Sequence, residues 1–419
     1  MSADTPLPED DAAATCDALR AAAAGGDDAL LAALVATLAA SRRWHALFDA
    51  RLLEARVALG LPLAGESRAD ADAQAALEAR SLEACREVGW PLLEEGKVAA
   101  AWMYLRAAAE PAEVAARLGA LADRVAAEAA AQRGAGGMDP WAEASGADAT
   151  LQEIIHVALW EGVAPDLGLR LLLERNGTCN TITAYEQAVS RLPAARQRPA
   201  ADLLVAHLHR ELRASLLHDL ERRGIAVAEG ATIPAILEAA GGLRDDPSVH
   251  LDVSHLHSVL RIARVCTSEE SLGRAWEMAR YACRLPREAV YAGEAPFEEV
   301  GEASRLFFGA QLGHDVGPAV AFFRKAAVLA KVERAGSLPG DVLVLLLARL
   351  GRPAEALHAA LDRAPDGDGP SLLQATGMLP TLLELAAASG EWETLRQACR
   401  RQGDAITYAA TILEERRRG

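Results

Sequence analysis

Leu347-Ala348-Arg349-Leu350-Gly351-Arg352-Pro353-Ala354-Glu355-Ala356-Leu357 reads as the end of one helix, a turn and the start of the next. Gly351 stops the first helix, because glycine accepts the left-handed conformation that closes a helix end. Ala356 is small and lets the second helix lie close to the first. The same turn recurs at Gly390-Glu391-Trp392-Glu393-Thr394-Leu395 and, one residue out of step, at Gly313-His314-Asp315. These glycines stand about 38 residues apart, near the period of two-helix repeats.

The rest of the chain agrees with a helical reading. Its 419 residues are 51% hydrophobic and only 4% aromatic. Alanine dominates, which suits close helix packing. Strand-like alternation of β-branched residues is nearly absent. The pattern predicts an all-α chain with more than about fifteen helices and no sheet. Length and apolar fraction allow a large buried core.

The turn at Gly351 has a fuller counterpart near the N-terminus. Leu92, Gly96, Ala101, Leu105, Ala108 and Pro111 place a large residue four before a glycine, then small and large residues along the next helix. Leu347, Gly351 and Ala356 follow this in part, as does Gly390, with Leu395 in the alanine position. Gly313, Ala319, Phe323 and Ala326 are a looser version. The pattern resembles the tetratricopeptide repeat, over residues 90–110 and 300–403. The resemblance implies a helical-repeat (α-solenoid) architecture and carries over no binding residues.

Composition shifts suggest an order of regions. Residues 1–10 read as a disordered acidic tail and 11–132 as an N-terminal helical region. The stretch around Gly134-Ala135-Gly136-Gly137 makes 133–149 a linker. A central helical region covers 150–297, and C-terminal repeats cover 298–419. Thr150…Glu153 and Thr183…Glu186 look like capping boxes. Thr178–Thr183 reads as a tight loop.

A net charge of −16 argues against nucleic acid and anionic membranes, both of which require a basic surface. Six scattered cysteines without a C-x-x-C pair suit reduced thiols in the cytoplasm. The N-terminus lacks the apolar run of a signal peptide, and no segment reads as a membrane span.

Seven of the ten histidines fall between His156 and His257. His250-Leu251-Asp252-Val253-Ser254-His255-Leu256-His257 closes this region and runs into a helix with Ser254 as expected N-cap. At 100° per residue His255 shares a face with Val259, Ile262 and Cys266. His257 falls with Arg261 and Arg264 on the side expected to meet solvent. His156 sits in a helix apolar on nearly every side, which predicts burial.

Imidazoles and carboxylates on neighbouring helices suit zinc, iron or nickel. His156, His207, His209, His250, Asp252 and His255 are therefore candidate ligands, with His156 and His255 expected in one polar pocket. The plainer reading is structural histidines hydrogen-bonded one by one, with Asp252 as a capping residue. Neither H-E-x-x-H nor a duplicated E-x-x-H is present. Cys179, between helices, is a candidate nucleophile, and a packing thiol on the plainer reading. Phosphate-binding and dinucleotide motifs are missing.

Two functions compete. One is a helical-repeat scaffold or adaptor that binds a protein or peptide, basic or neutral in charge, on a concave surface. The other is a metal-dependent enzyme, or a metal or small-ligand sensor, using the central histidines.

Overall fold

The computed structural model describes residues 9–63, 70–135, 146–239, 249–333, 336–363 and 370–418. Among them there are twenty α-helices and no strand, so the chain is all-α. The chain divides between Leu171 and Leu172 into two compact units.

Unit 1 holds α1 (Glu9–Ala22), α2 (Asp27–Ala40), α3 (Trp44–Ala58), α4 (Ala71–Glu94), α5 (Val98–Ala108), α6 (Pro111–Ala135) and α7 (Gly146–Ile155). Each of α1 to α4 packs on the next, α4 packs on α5, and α7 lies against α5 and α6. α4 runs on through Gly89 and Pro91 to Glu94. The reason lies in α5: a Cβ at Gly89 would stand 2.7 Å from the Leu105 side chain. Leu47, Val88, Leu92, Val98, Ala101, Leu105, Leu118 and Ile154 fill the core.

Glu153 caps a helix, but not its own. Its carboxylate accepts the Ala99 N–H at 2.9 Å, at the start of α5. The backbone then widens into a π-turn at His156–Trp160. The burial expected for His156 from the apolar surroundings of its helix is not found at this turn. Val157, Ala158 and Leu159 turn inward, while His156 is exposed.

α8 (Pro165–Ala184) contains the division between the units, and Gly177 breaks it with φ 74°. Thr178–Thr183 is helical rather than a loop, since the chain resumes a helix directly after that kink. The expected capping box at Thr183 is absent: its hydroxyl donates to the Cys179 carbonyl at 3.1 Å, inside the helix. A second π-turn, Tyr185–Val189, follows.

In unit 2 the long α9 (Ala194–Arg222) carries α10 (Ile233–Ala239), α11 (Val253–Ile262) and α12 (Glu269–Ala282). Leu204, Leu208, Leu212 and Leu216 form its buried stripe. The chain then runs through α13 (Val300–Gln311), α14 (Val316–Glu333), α15 (Leu338–Arg349) and α16 (Pro353–Asp362). It ends with α17 (Leu372–Ala375), α18 (Leu382–Ser389), α19 (Trp392–Gln402) and α20 (Ala405–Arg418). Apart from the short α17, each of α13 to α20 packs on its successor.

Gly351 and Gly390 sit between paired helices with φ of 68° and 77°, a conformation that favours glycine. Gly96 and Gly313 occupy equivalent turns. Ala356 is fully buried.

Of the expected 133–149 linker, residues 136–145 lie outside the described residues; its flanks belong to α6 and α7. Residues 1–8 of the expected tail also lie outside, and α1 begins at Glu9.

Candidate functional site

The helix α11 sets the central histidines. Its N-cap is Asp252 rather than Ser254: the Asp252 carboxylate accepts the Ser254 N–H at 2.8 Å and the His255 N–H at 3.4 Å. The Ser254 hydroxyl also donates to it, and this bond chiefly holds Asp252 below the usual carboxylate range. The buried face runs along Val253, Leu256, Val259, Leu260 and Ala263. His255 and His257 lie about 100° to either side of Leu256. Both are therefore half-buried flanks. The Nε2 of His257 is enclosed without a hydrogen-bond partner, and burial pushes this imidazole down.

Five of the six expected metal ligands have polar partners other than one another's side chains, Asp252 bonding the start of its own helix. His156 is exposed, with Nε2 3.8 Å from Glu161. His207 Nε2 lies 3.0 Å from Thr178 Oγ1 and 3.2 Å from Glu211. His209 meets Glu277 at 2.9 Å, and His250 meets Asp219 at 3.2 Å. Burial favours the neutral form of Glu277, but His209 and the Ile233 N–H outweigh it and leave the carboxyl below its usual range. His255 lines a shallow pocket of about 280 Å³ with Cys179, Thr183 and Ser258. Among the described residues no three His, Cys, Asp or Glu side chains gather closely enough to hold a metal ion. Carboxylates take up His207, His209 and His250 one by one within unit 2. His156 does not meet the expectation of a buried pocket, because it is exposed.

A different site emerges in unit 2. A cavity of about 320 Å³ opens between the π-turn after α8, the end of α11, α13, α15 and the segment 372–378. Phe307, Val342, Leu345 and Met378 give it an apolar wall. Most polar side chains in that wall are already satisfied. Gln197 donates to the Ser190 and Leu192 carbonyls and accepts from the Tyr185 hydroxyl. Thr376 donates to the Leu372 carbonyl at 2.9 Å, Ser190 to the Glu186 carbonyl at 2.6 Å. Arg261 pairs with Glu186.

Arg264 is the exception. Its guanidinium lies 3.4 Å from the Phe297 ring centroid, and its Nε is sealed off with no hydrogen-bond partner. Among the described residues no carboxylate comes within 4 Å of it. Burial pushes Arg264 down to about 9, the charge of Arg261 adds to this, and Glu294 opposes it. It remains a cation at neutral pH. Outside the cavity lining, Arg349 lies 6.0 Å from the Phe307 ring centroid and donates to Gln311 at 3.1 Å. Burial pushes it down to about 10, with Cys266 opposing and Arg198 adding. Of the two arginines in the cavity wall, Arg261 is paired with Glu186 and Arg264 has no acidic side chain at contact distance, Glu294 acting on it from farther off.

Sequence reasoning placed Arg264 on a solvated flank. The local signal for burial was its setting, Ile262-Ala263-Arg264-Val265-Cys266, a single charge in an apolar run. Among the described residues no helix is long and apolar enough to cross a membrane. No family model, curated protein or solved structure matches the chain.

Proposed function

We propose that unit 2 is a helical binding module for a small organic ligand, housed in the cavity beside Arg264. The observation that carries this reading is a half-buried guanidinium, stacked on Phe297 and without an acidic partner at contact distance, on the wall of an apolar cavity. Ligand sites are commonly apolar hollows of roughly 300–1,000 Å³ with a few convergent polar groups and perturbed ionisable residues. The sensor alternative drawn from the sequence is kept in kind and moved in place, from the histidines to Arg264. The six free cysteines suit a reducing compartment such as the cytoplasm.

The test is a thermal-shift screen with small organic acids, alcohols and amines, repeated on Leu373→Phe, which adds bulk to the cavity lining. Compounds that stabilise the wild type and lose that effect in the variant support the reading. A screen in which nothing stabilises the wild type overturns it.

A second reading, a scaffold for a protein or peptide, has its own observation. Val328, Leu329 and Val332 are exposed together on α14, beside a groove of about 470 Å³ over α14, α15 and α16. Clustered exposed apolar side chains mark interaction surfaces. The succession of packed helices with equivalent glycine turns supports a helical-repeat arrangement there. Peptides selected on the wild type and rejected by Val328→Asp/Val332→Asp would favour this reading. Equal retention by both proteins would remove it.

A further inference from the structure

We infer that the Arg264 cavity takes a monocarboxylate with a compact apolar body, the carboxylate on the guanidinium edge and the body against the leucines of α15 and α17. The inference rests on reading this cavity as a ligand site, and deepens it by naming the ligand's chemistry.

Three observations set that chemistry. The first is charge. Arg264 has one face on Phe297, and its Nη edge, which unlike the Nε is not enclosed, has no acidic partner at contact distance among the described residues, so an anion suits that edge. A planar guanidinium matches a carboxylate through two parallel N–H bonds. The second is the rim. Glu186 and Glu294 also line the cavity, Glu186 already held by Arg261. A dianionic phosphate would face both carboxylates with a single free guanidinium to balance it. A monoanion meets less repulsion from these carboxylates than a dianion does. The third is the wall. Val342, Leu345, Leu373 and Met378 offer no free polar group, so the remainder of the ligand must be apolar. The size follows from the volume of about 320 Å³. At roughly 30 Å³ per water-sized group, it holds about ten non-hydrogen atoms.

Octanoate has that size and serves as the probe, with 1-octanol and octyl phosphate as comparators, each titrated calorimetrically into the full chain. The expected order is octanoate tightest, octyl phosphate and octanol weaker. Arg264→Met should weaken octanoate by roughly tenfold to hundredfold, the span of a hydrogen bond to a charged group, and leave octanol unchanged. Arg264→Lys keeps the charge without the fork and should fall between, which preserves the test if the methionine variant does not fold. Octanol or octyl phosphate binding as tightly as octanoate overturns the carboxylate inference while leaving the cavity a ligand site. Octanoate binding unchanged in both variants overturns it as well. Failure of all three probes to bind the wild type overturns the inference and the ligand-site reading together.

Discussion

Arg264 stacks on Phe297, its guanidinium carbon 3.4 Å from the ring centroid, and no carboxylate completes the contact. A desolvated cation–π pair is worth about 2 kcal/mol, whereas the effective cost of burying one ion reaches several kcal/mol. The fold therefore holds this charge at a net cost, which an anion at its edge would offset.

That imbalance predicts the stability of Arg264→Met. The substitution keeps an apolar stem over Phe297 and removes the uncompensated charge. Urea unfolding should give a variant equal to the wild type or more stable by about 1–3 kcal/mol. A loss of several kcal/mol would mean that Arg264 is a structural residue with partners in the fold.

Glu277 links stability to pH. It binds His209 at 2.9 Å and the Ile233 N–H at 3.1 Å, and its carboxyl sits below the ordinary value of 4.5. The unfolded chain therefore binds a proton more readily than the folded one. The stabilisation is complete above pH 4.5 and fades as pH falls through the lower, folded value. Glu277→Gln should cost about 1.5–3 kcal/mol at pH 7, the worth of a hydrogen bond to a charged group. That difference should shrink below pH 4.5. A constant difference across the acid range would contradict the assignment.

Ala356 is fully buried on α16, which packs on both α15 and α18. Ala356→Leu should overpack these contacts and lower stability by about 1–3 kcal/mol in urea unfolding. His358, two residues on, is exposed, and His358→Leu should change little. Equal effects at the two positions would refute the close contact.

The histidines predict indifference to metal. Each of His156, His207, His209 and His250 faces an acidic side chain of its own, and three donors nowhere converge among the described residues. Added zinc, or its removal with a chelator, should leave the melting temperature unchanged. A shift of several degrees at stoichiometric zinc would restore the metal reading.

The fold was legible where the information is local. Gly351 and Gly390 announce their turns because only the residue at that place needs a positive φ. The alanines Ala101 and Ala356 announce close contacts because each stands five residues after a glycine turn, on the face that meets the preceding helix. What failed depended on phase or on distant partners. The burial of His156 was expected from a helix apolar on nearly every side, and composition alone does not say which side of that helix is left uncovered. His255 and His257 were assigned to faces centred on Val259 and Ile262. Leu256 and Leu260 move that centre and leave both histidines at the edges. Arg264 was missed because its burial is made by Phe297, which approaches from a separate stretch of chain. No window of sequence around Arg264 contains that contact.

The account turns on whether Arg264 meets an anion in its cavity. The direct measurement follows the Nε–H resonance of Arg264 by NMR in isotope-labelled protein during an octanoate titration, assigned by its absence from Arg264→Met. The resonance should move and saturate with the binding isotherm, and a titration with octanol should leave it in place. An Arg264 signal that stays fixed while octanoate saturates the protein would contradict the account.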